Sequence, residues 1–293
     1  MRVVVRGRAV ALGLIADRLL GEPAAAVHPV ALFGKTMGAV EQVLHRDRRD
    51  AGVLHAGIGA AIGLGIGLVS TTAAATYTAV AGKALGDAAM EIDTALANGD
   101  LEGARELLPA LVGRDPRDLD ERDVCRAVVE SVAENTVDAV VAPVLWAMAA
   151  GGPGALGYRA VNTLDAMVGH HSPRYERFGW ASARLDDAAN FVPARVTAGL
   201  VALARPRRAI AIERAVLRDA PSHPSPNAGV SEAAFAAALN VRLGGPSRYG
   251  DRSEVRPPLG DGRVPERHDI ARAVRLSSDV QWILTGLAVA LPW

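Results

Sequence analysis

Between Glu130 and Asn190 the sequence gathers three groups of side chains that could do chemistry: Glu130/Glu134/Asn135/Asp138, then Arg159/Asn162/Asp165, then Arg184/Asp186/Asp187/Asn190. On a helix, Glu130, Glu134 and Asp138 stand at i, i+4 and i+8 and share one face. Asn162 and Asp165 (i, i+3) and Asp186 and Asn190 (i, i+4) share faces in the same way. Like charges one turn apart repel by a few tenths of a kcal/mol, and a merely solvated helix more often alternates its signs there. Any one cluster would ordinarily be a solvated face or a cap. Three in one stretch, each beside uncharged sequence, favour a site. Hard oxygen donors next to arginines suit Mg2+ and phosphate better than they suit a core.

The elements that must position these groups are helices. Half of the 293 residues are hydrophobic but only 4% are aromatic. Ala, Gly, Val and Leu supply the apolar half, which fits closely packed helices better than a β-sandwich. Lys plus Arg equal Asp plus Glu at 32 each, so no charge excess points to nucleic acid. The single cysteine, Cys125, excludes an internal disulfide, and no Cys/His cluster has zinc spacing. The chain reads as reduced and intracellular, or as membrane-embedded with its working parts toward the cytosol.

The opening, MRVVVRGRAVALGLIADRLLGEP, begins like a signal peptide, but Asp17 and Arg18 follow the apolar run and no small-x-small cleavage site is evident. An uncleaved first helix is expected, ended by Gly21-Glu22-Pro23, with its arginines favouring a cytoplasmic N-terminus. His28-Pro29 opens a second, amphipathic segment. Ala51 to Gly82 carries no charge. As one helix it would reach about 48 Å, beyond the roughly 30 Å apolar core of a bilayer, and its glycines would let helices approach closely in lipid. A transmembrane span is expected there. Asp100 should start a helix, residues 113–120 should form a loop, and Asp123 should cap or open the helix carrying Glu130 and Glu134. Ala139 to Tyr158 is uncharged again, and its Gly151-Gly152-Pro153-Gly154 break allows a re-entrant hairpin or a short helix pair. Adjacent His170 and His171 would point apart on a helix, and Ser-Pro after them suggests a loop. Residues 205–218 form a basic amphipathic helix suited to an anionic membrane surface or to solvent. Ser231 could cap an Ala-rich helix from Glu232 to Asn240, residues 251–268 read as a surface loop, and Gln281 to Trp293 as a short apolar segment.

From Asp17 to the C-terminal helix the chain resembles the adenosylcobinamide-phosphate synthase family of cobalamin biosynthesis, often labelled CbiB or CobD. The matches are DRLLGEP with HPV, GRD-x-x-x-LD, ESVAENTVDAVVAP, YRAVNTLDAMVG, RFGWASARLDDAANFVPAR, HPSPNAG and RLGGPSRYG, in this order. Glu22, Val230-Ser231 and Ser247-Arg248 depart from the family's common pattern at local loop positions. The resemblance implies an all-α, polytopic helical protein of the cell inner membrane with cytoplasmic amphipathic helices and loops. It would form one membrane-embedded domain over residues 1–293, with segments 83–138 and 205–275 as cytosolic-side insertions. It implies an ATP-dependent acid–amine ligase joining adenosylcobyric acid to aminopropanol phosphate, or a related amino alcohol, with Mg2+. The partners implied are those two substrates and the lipid bilayer, with no nucleic acid; a homo-oligomer, or association with other membrane enzymes of cobalamin assembly, is left open.

On that reading the catalytic candidates are Glu130, Glu134, Asp138, Asp165, Asp186 and Asp187, of which Glu134, Asp138, Asp165 and Asp187 would hold metal. Asn135, Asn162 and Asn190 would orient phosphate or corrin amides; Arg159, Arg184 and Arg195 would carry phosphate charge; His28, Asn227 and Glu232 would close the pocket. His28 before a proline also suits a structural turn. Two other readings remain. Asn-x-x-Asp and Asp-Asp-x-x-Asn helices also resemble intramembrane Mg-diphosphate prenyltransferases, and acidic residues near spans can mark a non-catalytic corrinoid binder or transporter.

Overall fold

The computed structural model describes residues 2–22, 28–113, 116–170, 172–249 and 252–290, with side chains 2–5, 246–249 and 252–254 excepted. In chain order the helices are α1 (Arg2–Leu20), α2 (Pro29–Leu44), α3 (Arg49–Val69), α4 (Thr72–Ala79), α5 (Gly82–Ala97), α6 (Leu101–Leu107), α7 (Glu121–Thr136), α8 (Ala142–Ala150), α9 (Gly152–Leu164), α10 (Trp180–Ala204), α11 (Ala209–Asp219), α12 (Ala228–Leu239) and α13 (Arg267–Ala290). Five-residue π-helical turns, Val137–Val141 and Asp165–Gly169, follow α7 and α9. The chain is mostly helical, as expected. The exception is an antiparallel hairpin, β1 (Leu243–Tyr249) with β2 (Arg252–Leu259), where the sequence suggested loop. Pro257 and Pro258 lie near its end, where a missing ladder donor is tolerated. Pro23, Arg114, Asp115, His171, Gly250, Asp251 and the last three residues, all within segments read from the sequence, lie outside the described residues.

Local signals account for most boundaries. Asp100 and Asp120 accept hydrogen bonds from the N–H groups of Gly103 and Asp123 and cap α6 and α7. The uncharged run Ala51–Gly82 is not one helix: α3 ends at Ser70, and Thr71 accepts from Ala74 N–H to start α4. The 21 residues of α3 give about 31 Å, one apolar bilayer thickness. The Gly-rich break resolves as a helix pair. Gly151, at φ 68°, ends α8 and begins α9, and the two pack against each other. The Ala-rich helix begins at Ala228, earlier than Ser231, whose hydroxyl instead donates to the Ala228 carbonyl. The terminal apolar segment belongs to the 24-residue α13.

The fold divides into two compact units, Met1–Ala81 with Asp138–Phe191 and Thr285–Trp293, and Gly82–Val137 with Val192–Leu284. In the first, α3 packs chiefly on α9 through Gly59, Gly63 and Gly67. A Cβ on Gly63 would stand 2.6 Å from both Ala160 Cβ and the Leu156 carbonyl oxygen, so this approach requires glycine. The outward face of α3 keeps Val53, Leu54, Leu64, Ile66, Leu68 and Val69 exposed, and that of α1 keeps Leu12, Leu19 and Leu20 exposed. Among the described residues two continuous helical stretches, Arg49–Val69 and Glu121–Ala150, are long and apolar enough to cross a membrane. In the second unit, α12 is buried along its whole length and packs against α7, α11 and the hairpin.

Candidate functional site

In the first unit the second and third polar clusters meet. Tyr158, Asn162 and Asp165 lie at i, i+4 and i+7 along α9 and the start of its π-turn, and Asp186 and Asn190 lie one turn apart on α10. Trp146 of α8 donates its indole N–H to the Ala189 carbonyl at 3.1 Å and so holds that part of α10. Asp186 is bracketed by two amides: Asn162 Nδ2 donates to Oδ1 at 3.3 Å and Asn190 Nδ2 donates to Oδ2 at 2.9 Å. Tyr158, nearly fully buried, donates its hydroxyl to Asn190 Oδ1 at 2.9 Å, and that hydroxyl lies 3.5 Å from Asp138 Oδ1. Arg159 reaches Asn162 Oδ1 at 3.4 Å. The result is a continuous polar line, Arg159–Asn162–Asp186–Asn190–Tyr158–Asp138. Amide donors on both oxygens fix the orientation of the Asp186 carboxylate.

The other candidates of this unit occupy different settings. Asp165 opens the π-turn, and its Oδ1 lies against the Gly169 Cα, where a Cβ would come within 1.8 Å. Arg184 is exposed. Burial lifts the Asp187 carboxyl above its ordinary range, and the nearby Arg184 charge offsets part of that. His28 acts as the N-cap of α2, accepting the Val30 N–H at 3.2 Å on Nδ1, with Nε2 3.7 Å from Glu22. This is the structural-turn role.

The first polar cluster is split by the division into units, with Glu130, Glu134 and Asn135 in the second and Asp138 in the first. Buried Glu130 accepts the Gly244 N–H at 2.7 Å and lies 4.0 Å from Arg126, which ties α7 to the hairpin. Asn135 donates to the Ser131 carbonyl and hydroxyl one turn back, and Glu134 is exposed. Arg195 donates to Asn227 Oδ1 at 2.9 Å and to the Pro226 carbonyl at 3.1 Å; its own burial disfavours the guanidinium charge. Glu232, fully buried in α12, has His223 Nε2 at 3.8 Å and Arg256 at 3.7 Å.

Tyr158, His223 and Arg256 were not among the sequence candidates. Tyr158 could have been found, since it precedes Asn162 by one turn on the same face. His223 and Arg256 carry no such signal, because a loop and a hairpin bring them to Glu232. Among the described residues no three His, Cys, Asp or Glu side chains gather as a ready-made metal site.

A buried line of carboxylate, amide and phenol ending in an arginine can orient an anionic group and hold a proton in place. Comparison with known proteins agrees with the resemblance drawn from the motifs. Residues 10–277 match the family model described as CobD/Cbib protein. A "Cobalamin biosynthesis protein CobD" of Mycobacterium tuberculosis is 50% identical over 98% of this chain and 96% of its own length. Proteins of the same description from Rhodobacter capsulatus (44%, over 91% of this chain and 90% of its own) and Geobacter metallireducens (41%, over 97% and 96%) are similar as well. No solved structure matches the chain. The chain belongs to the CobD/CbiB family of cobalamin biosynthesis.

Proposed function

We propose that the protein is an ATP-dependent acid–amine ligase of the bacterial inner membrane that joins the free propionate of adenosylcobyric acid to aminopropanol phosphate or a related amino alcohol, giving adenosylcobinamide phosphate. The observation that carries the reading is the Arg159–Asp138 line of polar groups, in a chain whose family belongs to cobalamin biosynthesis. A carboxylate does not yield to an amine directly, because its oxygen is a poor leaving group. A propionate oxygen attacks the γ-phosphorus of ATP and ADP leaves with the electrons of the broken P–O bond. The amine nitrogen then attacks the carbonyl carbon, inorganic phosphate departs, and the ammonium proton passes to the Asp187 carboxylate, whose burial makes it the better base.

The donor set fits Mg2+, which is held by one or two carboxylates together with phosphate oxygens and water. Asp138 and Asp186 would supply those carboxylates, and the bound ion would neutralise charge on the transferring phosphoryl group. Asn162 and Asn190 keep Asp186 from rotating, and Tyr158 fixes Asn190. The exposed apolar faces of α1 and α3 support membrane embedding, since water would disfavour several large side chains on one face.

The test is ADP formation by the full chain in nanodiscs with ATP, Mg2+, adenosylcobyric acid and the amine. Release that requires both the corrinoid acid and the amine, with matching amide product, is expected. Corrinoid-independent hydrolysis, or corrinoid binding without ADP release, would overturn the ligase reading. Turnover of prenyl diphosphate would move it to the other enzyme class.

A further inference from the structure

Beside the polar line, within the first unit, lies a cavity of about 190 Å³ walled by Phe33, Ile66, Leu156, Ala160, Thr163 and Arg159. Among the described residues lining it, Arg159 alone carries a formal charge. The Thr163 hydroxyl spends its proton on the Arg159 carbonyl one turn back. Among the described residues Arg159 Nε, which is buried, has no hydrogen-bond acceptor, and the neutral Asn162 oxygen at 3.4 Å is a long contact for so strong a donor. A partly buried guanidinium without a carboxylate partner is costly unless an anion completes it. Pro29 and Val30, the first turn of α2, lie on the same wall, but Pro29 has no N–H and the Val30 N–H is committed to His28 Nδ1, so Arg159 is the group that would meet an anion.

We propose that this cavity is the seat of a compact phosphomonoester, its phosphate on Arg159 and its short aliphatic stem against Phe33, Ile66 and Leu156. The planar guanidinium fork, which can grip two oxygens of a phosphate, favours a phosphate dianion over a carboxylate. The volume lies below the roughly 300–1,000 Å³ of ordinary ligand pockets, which suits a branched three-carbon stem with its phosphate better than a whole nucleotide or corrin ring. The seat rests on the ligase reading only for the identity of its ligand as the amine co-substrate. Its binding can be measured without turnover.

The experiment is calorimetric titration of the full chain in detergent with isopropyl phosphate, inorganic phosphate, isobutyrate and, in mixed micelles, phosphatidylglycerol. Isopropyl phosphate should bind more tightly than inorganic phosphate, because of the apolar wall, and more tightly than isobutyrate, because of its second charge. Arg159→Gln should weaken it roughly tenfold to a hundredfold, the range for a lost charge-assisted contact. Arg159→Lys, with charge but no planar fork, should fall between. Phe33→Trp, which narrows the slot, should weaken isopropyl phosphate more than inorganic phosphate. Equal affinity in folded Arg159→Gln, isobutyrate binding as tightly, or phosphatidylglycerol taking the site without competition from isopropyl phosphate would each overturn the proposal. Because isopropyl phosphate has no amine, intact binding in a protein that makes no amide would count against the ligase reading and leave the seat standing.

Discussion

Asp186→Asn separates the structural part of the polar line from its chemical part. The substitution keeps the shape of the side chain and replaces one carboxylate oxygen by an NH2. That group would face an amide donor, because Asn162 Nδ2 and Asn190 Nδ2 both point at Asp186. One neighbour must turn over. Asn162 cannot do so freely, since its oxygen faces the Arg159 guanidinium, which only donates. Asn190 can: its NH2 then meets the Tyr158 hydroxyl, which accepts and swings its own proton toward Asp138 Oδ1, 3.5 Å away. The line survives with its donors reversed over one half. What is lost is charge assistance in two hydrogen bonds, about 1 kcal/mol each, or about 2 kcal/mol in all. The unfolding midpoint in detergent should drop by a few degrees. Turnover should fall a hundredfold or more, since an oriented charge at a phosphoryl-transfer site is worth several kcal/mol in the transition state. Tyr158→Phe removes the hydroxyl that lets Asn190 turn, so Asp186→Asn should cost more stability in that background than alone. The assays are thermal unfolding of the four proteins of the cycle and corrinoid-dependent ADP formation. Additive stabilities would refute the flip, and wild-type turnover in Asp186→Asn would remove Asp186 from the chemistry.

Gly63→Ala should lose about 1–3 kcal/mol by overpacking against Ala160 and Leu156, whereas Gly65→Ala, with nothing within 4 Å of the new methyl, should be neutral or slightly stabilising; unfolding of both in the same detergent decides it. Glu130→Gln keeps an oxygen for the buried Gly244 N–H and should leave the hairpin protected from protease. Glu130→Ala strands that N–H at about 1–3 kcal/mol and should expose residues 243–259 to cleavage. Lost turnover in Glu130→Gln with a protected hairpin would return this residue to the catalytic set. Hydrogen bonds from Arg218 and, after it, from the Gly260 N–H hold the Asp219 carboxyl below its usual range against the opposing effect of burial. For Asp269, burial alone would raise the carboxyl, but Arg263, the Glu266 N–H and Arg272 outweigh it. A folded pKa below the unfolded one stabilises above the unfolded value and is lost as pH falls through the folded value. Acid unfolding should therefore steepen below about pH 4, and Asp219→Asn should flatten that limb in an unfolding series carried from about pH 5 down to about pH 2.

Most helices were legible because their boundaries have local causes: Asp100 caps α6, Gly151 turns with positive φ, and the uncharged runs admit little but helix. The start of α7 was misplaced by a few residues, since Asp120 is its cap and the expected Asp123 lies inside the first turn, donating its N–H to Asp120. The break at Ser70 was not legible as a break. Apolar content says how much of a chain avoids water, and the Thr71 cap that divides α3 from α4 is one hydroxyl in an otherwise uniform run. The hairpin was missed for the opposite reason. Its strands carry Gly, Pro and Arg, poor strand formers by composition, and what holds it is non-local: the Glu130 carboxylate on Gly244 and the packing of α12 beneath it.

The same distinction between local and non-local cause explains the site. Helical spacing put Asn162 with Asp165 on one face and Asp186 with Asn190 on another, and the structure joins Asn162 to the Asp186/Asn190 pair while Asp165 sits in the π-turn against Gly169. Spacing cannot say which face of a helix meets which neighbour. Glu130, at i, i+4 from Glu134, turned inward to a backbone N–H while Glu134 stayed in the open. The carboxylates that a sequence groups by period are therefore sorted by what lies opposite them. Asp186 is met by two side-chain amides, a pairing that holds the carboxylate in place between two helices. Glu130 is met by a main-chain donor that fixes a turn. The first arrangement adds nothing to the fold that two apolar side chains could not supply at lower desolvation cost, which is the physical reason to look for the chemistry at Asp186.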